Sequence, residues 1–80
     1  SPAPVCVVDD DPSICVAIER LLALQGLPVR SFGSAREFLA SDALRTAGCV
    51  VLDVHLPDLD GLELKEEIAA TGGEVSVLFI

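Results

Sequence analysis

The chain contains no tryptophan, no tyrosine, no methionine and only three phenylalanines in 80 residues. A core built with so few aromatics must rest on Val, Leu, Ile and Ala. Basic residues are also scarce: five Lys and Arg stand against thirteen Asp and Glu, a formal net charge of −8. That sign argues against direct contact with DNA, RNA or an anionic membrane surface. It fits a cation site, a basic protein partner, or solubility alone. The three cysteines, Cys6, Cys15 and Cys49, show neither a CxxC pair nor a metal-type spacing. Buried, reduced thiols packing as small hydrophobes are expected, which suits a cytoplasmic setting. No apolar run approaches the roughly 18–20 residues needed to span a bilayer, so no membrane segment is expected. Neither a G-x-G-x-x-G fingerprint nor a P-loop occurs, which disfavours a nucleotide-binding fragment.

Hydrophobic residues make up 51% of the chain, too many for intrinsic disorder. At this length one small domain is expected, with only roughly 60–65% of the unfolded surface buried and hence a marginal core. "PVCVV" (4–8) is a short, continuous apolar run rich in β-branched residues, the pattern of a buried parallel strand. "DPSICVAIERLLALQG" then opens with Asp11 as an N-cap and Pro12 at the first helical position. Ile14, Ile18, Leu21 and Leu22 fall at helical spacing, with Ala17 and Leu24 widening the apolar face. Gly26 reads as the C′ stop. "PVRSF" (28–32) is a second strand, and "SAREFLASDAL" a second helix opened by the Ser34–Glu37 capping box. "GCVVLDV" (48–54) is a third strand, apolar until Asp53, followed by the loop "HLPDLDG" (55–61). "LELKEEIAA" (62–70) is a third helix with Leu62 and Ile68 expected inward, and "EVSVLFI" (74–80) a fourth strand. Strands alternating with helices over short connections imply a parallel sheet with right-handed crossovers.

Two strands end in aspartate: the first in Asp9, Asp10 and Asp11, the third in Asp53. In a parallel sheet the strand C-termini share one edge, and ligands bind there where the strand order reverses. Carboxylates that converge need a cation or a proton. Hard oxygen donors suit Mg²⁺, and Mg²⁺ draws phosphate oxygens, so a phosphoryl-transfer site is a natural candidate. The alternative is that the aspartates only cap the first helix, but one aspartate suffices for that. If Asp10 and Asp53 are level, Cys6 and Cys49, each four residues earlier, lie side by side on adjacent strands. An EF-hand reading of "DVHLPDLDG" puts Leu56 at the first ligand position and is rejected. Asp58 and Asp60 read as solvated loop acids and helix-start charges.

"VVDDDPSI" and "VVLDVHLPDLDGLEL", with the elements between them, resemble the receiver domain of two-component response regulators. "SFGSAREFLA" further resembles receivers of NarL/FixJ-like transcriptional regulators. The resemblance implies a flavodoxin-like, doubly wound α/β fold. It makes Asp53 the phosphoacceptor for a sensor histidine kinase, and the chain a regulatory domain rather than an enzyme. Asp9 and Asp10 match the acidic pair that holds Mg²⁺, Asp10 directly and Asp9 through water, with Asp53 and the backbone carbonyl of His55 as further ligands. Asp11 is left as the helix cap. A family member has five strands in the order 2-1-3-4-5. Residues 1–80 are therefore expected to be one N-terminal receiver fragment, ordered 2-1-3-4, lacking the fifth strand and last helices. The family's hydroxyl residue would follow Ile80, and its lysine would follow the fifth strand. Lys65, the one lysine here, lies on the third helix and is no substitute. The uncovered sheet face is expected to drive a homodimer or a domain swap. A DNA-binding output domain is expected outside these residues. The alternatives are a degenerate receiver used only for docking or dimerisation, and a fragment of a Mg-dependent aspartyl phosphatase. The latter usually carries a second Asp two residues after its nucleophile, where this chain has His55.

Overall fold

The computed structural model describes residues 3–72 and 74–80. Four apolar runs form the strands β1 (Val5–Val8), β2 (Val29–Phe32), β3 (Cys49–Leu52) and β4 (Ser76–Phe79). They pair in parallel in the order β2-β1-β3-β4, the expected doubly wound, flavodoxin-like arrangement. The connecting helices are α1 (Pro12–Ala23), α2 (Ala35–Ala40), α3 (Ala43–Thr46) and α4 (Gly61–Ala70).

Local chemistry explains the helix ends. Asp11 accepts a hydrogen bond from the Ser13 N–H at 2.9 Å, and Pro12 occupies the first turn, where no N–H is required. At the other end Gly26 adopts φ +73°, its N–H reaching Ala23 O at 3.0 Å and the Leu27 N–H reaching Leu22 O at 3.2 Å. That is a Schellman closure around a glycine in the left-handed region. Ser34 caps α2 through the Glu37 N–H at 3.0 Å, while the Glu37 carboxylate turns to the Gly33 N–H at 3.4 Å instead of closing the box on Ser34.

The sheet divides the core. Cys6, Val8, Phe32, Val50 and Leu52 project to one face and pack with Ala35, Phe38, Ala43, Leu44, Leu56 and Leu64. On the other face α1 lies over β1 and β2, with Val7 of β1 and Cys15 of α1 buried there. Nothing among the described residues extends this cover over β4, so Leu78 and Ile80 stay 57% and 52% exposed.

Four expectations are corrected. Leu21 and Leu24 are 64% and 82% exposed, so the apolar face of α1 is narrower than its sequence pattern; Ile18 and Leu22 carry the half-buried contact. Among the described residues, one helix crossing two strands finds nothing to pack its flanks against. The second helix breaks at Ser41, whose Oγ donates to Phe38 O at 2.6 Å and accepts from the Ala43 N–H at 3.1 Å. A serine that offers the backbone a local partner competes with helix propagation in this way. In α4 it is Leu64, 3% exposed, that points inward with half-buried Ile68, while Leu62 is 67% exposed. Asp60 starts the helix by accepting from the Leu62 and Glu63 N–H groups, and an i, i+4 stripe from that start runs through residues 64 and 68. Finally, β1 and β3 align Val5 with Cys49 and Val8 with Leu52. Asp9, not Asp10, is therefore level with Asp53. A shift of one residue reverses the facing of a side chain. Cys6 lies in the core and Cys49 faces the opposite side; the cysteines are free.

Candidate functional site

The site lies where β1 and β3 end. The Asp9 N–H donates to Phe32 O at 3.1 Å, the Asp53 N–H to Val8 O at 3.0 Å, and the Val54 N–H to Ile80 O at 3.0 Å. These bonds continue the sheet ladder past the strand ends, one residue beyond β1 and two beyond β3, so Asp9 and Asp53 stand on hydrogen-bonded backbone. Asp9 is 6% exposed and is the buried charged side chain among the described residues. Such burial is costly without a partner; the Asp11 N–H donates to its Oδ1 at 2.9 Å. Asp53 is half-buried, and its Oδ1 accepts the His55 N–H at 2.9 Å. Asp10 is exposed.

One carboxylate oxygen from each of Asp9, Asp10 and Asp53 lies within 4.8 Å of the others, the one such group of potential ligands among the described residues. The donors are all oxygen. The His55 imidazole is exposed and outside the cluster, so no soft or nitrogen donor competes. The second oxygens of Asp9 and Asp53 make no hydrogen bond to protein among the described residues. Hard donors, partly open to solvent, fit Mg²⁺, which takes a few carboxylates and keeps several waters. The structure thus brings together three of the four expected ligand residues by their side chains, with His55 two residues from Asp53 on the same loop.

The thiols are not reactive features of this edge. Burial pushes the Cys6 thiol up from its ordinary value. Burial, and then the nearby Asp9 carboxylate, do the same to Cys15, whose Sγ donates to Asp9 O at 3.5 Å. Raised values keep both protonated and inert at neutral pH.

Asp58 is the exposed loop acid the sequence suggests, and it is also a clasp: Oδ2 accepts the Arg36 N–H at 2.8 Å and Oδ1 the Ala35 N–H at 3.0 Å. Sequence separations of 22 and 23 hide this contact from any local pattern. The Arg36 N–H, with Ala35 assisting, holds the Asp58 carboxyl below the usual carboxylate range. A folded-state value below the unfolded one, about 3.9, stabilises the fold above that pH and is lost as pH falls through the folded value. Asp58→Asn is therefore expected to be less stable than the parent at neutral pH. The gap should narrow as the pH is lowered from neutrality through and below the ordinary aspartate range, read from urea midpoints. A gap that stays constant across that range would sink the assignment.

Residues 5–80 match the response regulator receiver domain family. The chain is 42% identical over 78 residues to nodulation protein W of Bradyrhizobium diazoefficiens, covering 98% of this chain and 34% of that protein. It is 39% identical over 75 residues to the transcriptional regulatory protein FixJ of Azorhizobium caulinodans, covering 94% and 36%. It thus spans about a third of the length of these relatives. Among solved structures, the BeF3-activated DrrB receiver domain aligns with a TM-score of 0.80 at 33% identity, over 99% of this chain and 65% of that one. With the 2-1-3-4 parallel sheet and an acidic cluster at its C-terminal edge, the match leaves one conclusion: this chain belongs to the response regulator receiver domain family, which serves two-component signalling.

Proposed function

We propose that this domain accepts a phosphoryl group on Asp53 from a sensor histidine kinase. The observation that carries the reading is the convergence of Asp9, Asp10 and Asp53 within 4.8 Å at a rigid sheet edge. In the transfer, an Asp53 oxygen forms a bond to phosphorus while the bond from phosphorus to the kinase imidazole breaks. The electron pair of that bond stays on the leaving nitrogen. Phosphoryl transfer asks little covalent chemistry of a protein and much positioning. The His55 N–H fixes Asp53 Oδ1, which leaves the other oxygen for attack. The side chains of Asp9, Asp10 and Asp53, with the backbone carbonyl of His55, would hold Mg²⁺. That ion supplies charge neutralisation for the carboxylates and the incoming phosphoryl oxygens.

The product is a modified regulatory residue, not a released compound, so the domain acts as a switch rather than an enzyme. The names of the relatives support a transcriptional output outside these residues, shifted between two states by the new charge. An acidic domain of this charge is not itself the DNA-contacting part. Exposed Leu78, Phe79 and Ile80 support self-association of a chain limited to these residues. The intact carboxylates weigh against a purely docking role.

The test is incubation with a small-molecule phosphodonor, read by intact mass and peptide mapping. With Mg²⁺, one phosphoryl per chain is expected on the peptide carrying Asp53; with a chelator in excess, none. Labelling that is indifferent to chelation, or that maps elsewhere, overturns the reading.

A further inference from the structure

Asp58 closes a ring of contacts that passes through Asp9 and Asp53. From Asp9 the ring runs through its N–H to Phe32 O at 3.1 Å, the end of β2. It follows the chain through Gly33 and Ser34 to the first turn of α2, where the Ala35 and Arg36 N–H groups reach Asp58 at 3.0 and 2.8 Å. It returns along the loop to Asp53, whose N–H meets Val8 O at 3.0 Å beside Asp9. Between Asp53 and Asp60 the loop is also held by the Val54 N–H to Ile80 O at 3.0 Å, by the His55 N–H to Asp53 Oδ1 at 2.9 Å, by Leu56, 5% exposed, and Leu59 against the core, and by Asp60 at the start of α4. His55 and Pro57, between these anchors, are exposed. The clasp is the one polar tie from this loop to the β2 side of the cluster among the described residues.

We infer that Asp58 is a positioning residue: by pinning the loop that carries Asp53 and His55 to the start of α2, it sets how tightly the acidic cluster binds a divalent cation. The inference rests on the reading of that cluster as the Mg²⁺ site. Groups that orient ligands from behind typically change metal affinity by an order of magnitude when removed. A plain helix cap does not, and Ser34 provides that control. It caps the same helix through the Glu37 N–H, and among the described residues its side chain makes no hydrogen bond to the loop.

The experiment is calorimetric titration of Mg²⁺ alone into the full protein that carries these residues. It compares the parent with Asp58→Ala, Asp58→Asn, Ser34→Ala and Asp53→Asn, at a temperature where circular dichroism shows each folded. Asp58→Ala is expected to weaken Mg²⁺ about tenfold. Asp58→Asn, which keeps an acceptor oxygen, should recover part of that loss, and Ser34→Ala should stay within about twofold of the parent despite its lost cap. The inference is overturned if Asp58→Ala binds as the parent does, or if Ser34→Ala loses affinity equally. If the parent fails to bind, or Asp53→Asn binds unchanged, the cluster is not the metal site, and the inference falls with that reading.

Discussion

An Asp53→Asn chain is expected to fold like the parent and to take up no phosphoryl group. The substitution is nearly isosteric, and the amide oxygen can still accept the His55 N–H now bound to Oδ1 at 2.9 Å. The strand-end bond from the Asp53 N–H to Val8 O is untouched, because it is made by backbone. What disappears is chemical. A neutral amide has no anionic oxygen to attack phosphorus, and the acidic group loses one of its three charges. Half-buried and outside the core, the position should change stability by no more than about 0.5–1 kcal/mol. Intact mass after treatment with phosphodonor and Mg²⁺ should show one added phosphoryl on the parent and none on the variant. Full labelling of the variant would falsify the acceptor assignment; parallel melting curves separate lost chemistry from lost fold.

Phe38→Ala is expected to remove most or all of the stability. Phe38 is fully buried and meets Phe32 edge to face, with ring centroids 5.3 Å apart and planes at 64°. Together these rings fill the space between β2 and α2, in a core that otherwise has only aliphatic side chains and one thiol. Truncating a buried Phe to Ala costs about 3–5 kcal/mol. A domain of 80 residues has on the order of 4–12 kcal/mol in total, at roughly 0.05–0.15 kcal/mol per residue. Circular dichroism should find the variant largely unfolded or melting far below the parent. Leu62→Ala, at a position 67% exposed, should lie within about 0.5 kcal/mol of it. A Phe38→Ala midpoint within about 1 kcal/mol of the parent would show that the core closes around the gap.

The meeting of strand ends is legible in the order of the elements, for a physical reason. Alternating strands and helices force parallel pairing, and parallel pairing brings every strand C-terminus to one edge. Asp9, Asp10 and Asp53 fall together on that edge despite their distance in the chain. The caps are equally legible, because Asp11, Ser34 and Gly26 act on backbone groups two to five residues away. The facing of Leu62 is not. An apolar residue at a helix start is compatible with two stripes, and only the sheet beneath α4 selects the one through Leu64 and Ile68.

Element order, the parallel sense of the sheet and the acidic edge follow from local pattern plus chain connectivity. Register, facing and long-range ties arise only once the elements pack. Sliding β1 against β3 by one residue leaves every local preference intact yet changes which aspartate stands level with Asp53, and it sends Cys6 and Cys49 to opposite faces. In the same way, an exposed acid on a loop carries no sign that two unpaired N–H groups wait 22 and 23 residues earlier. Asp58 acquires its partners only when the crossover brings the start of α2 beside the loop, because hydrogen bonds of that reach are set by packing and not by sequence neighbours.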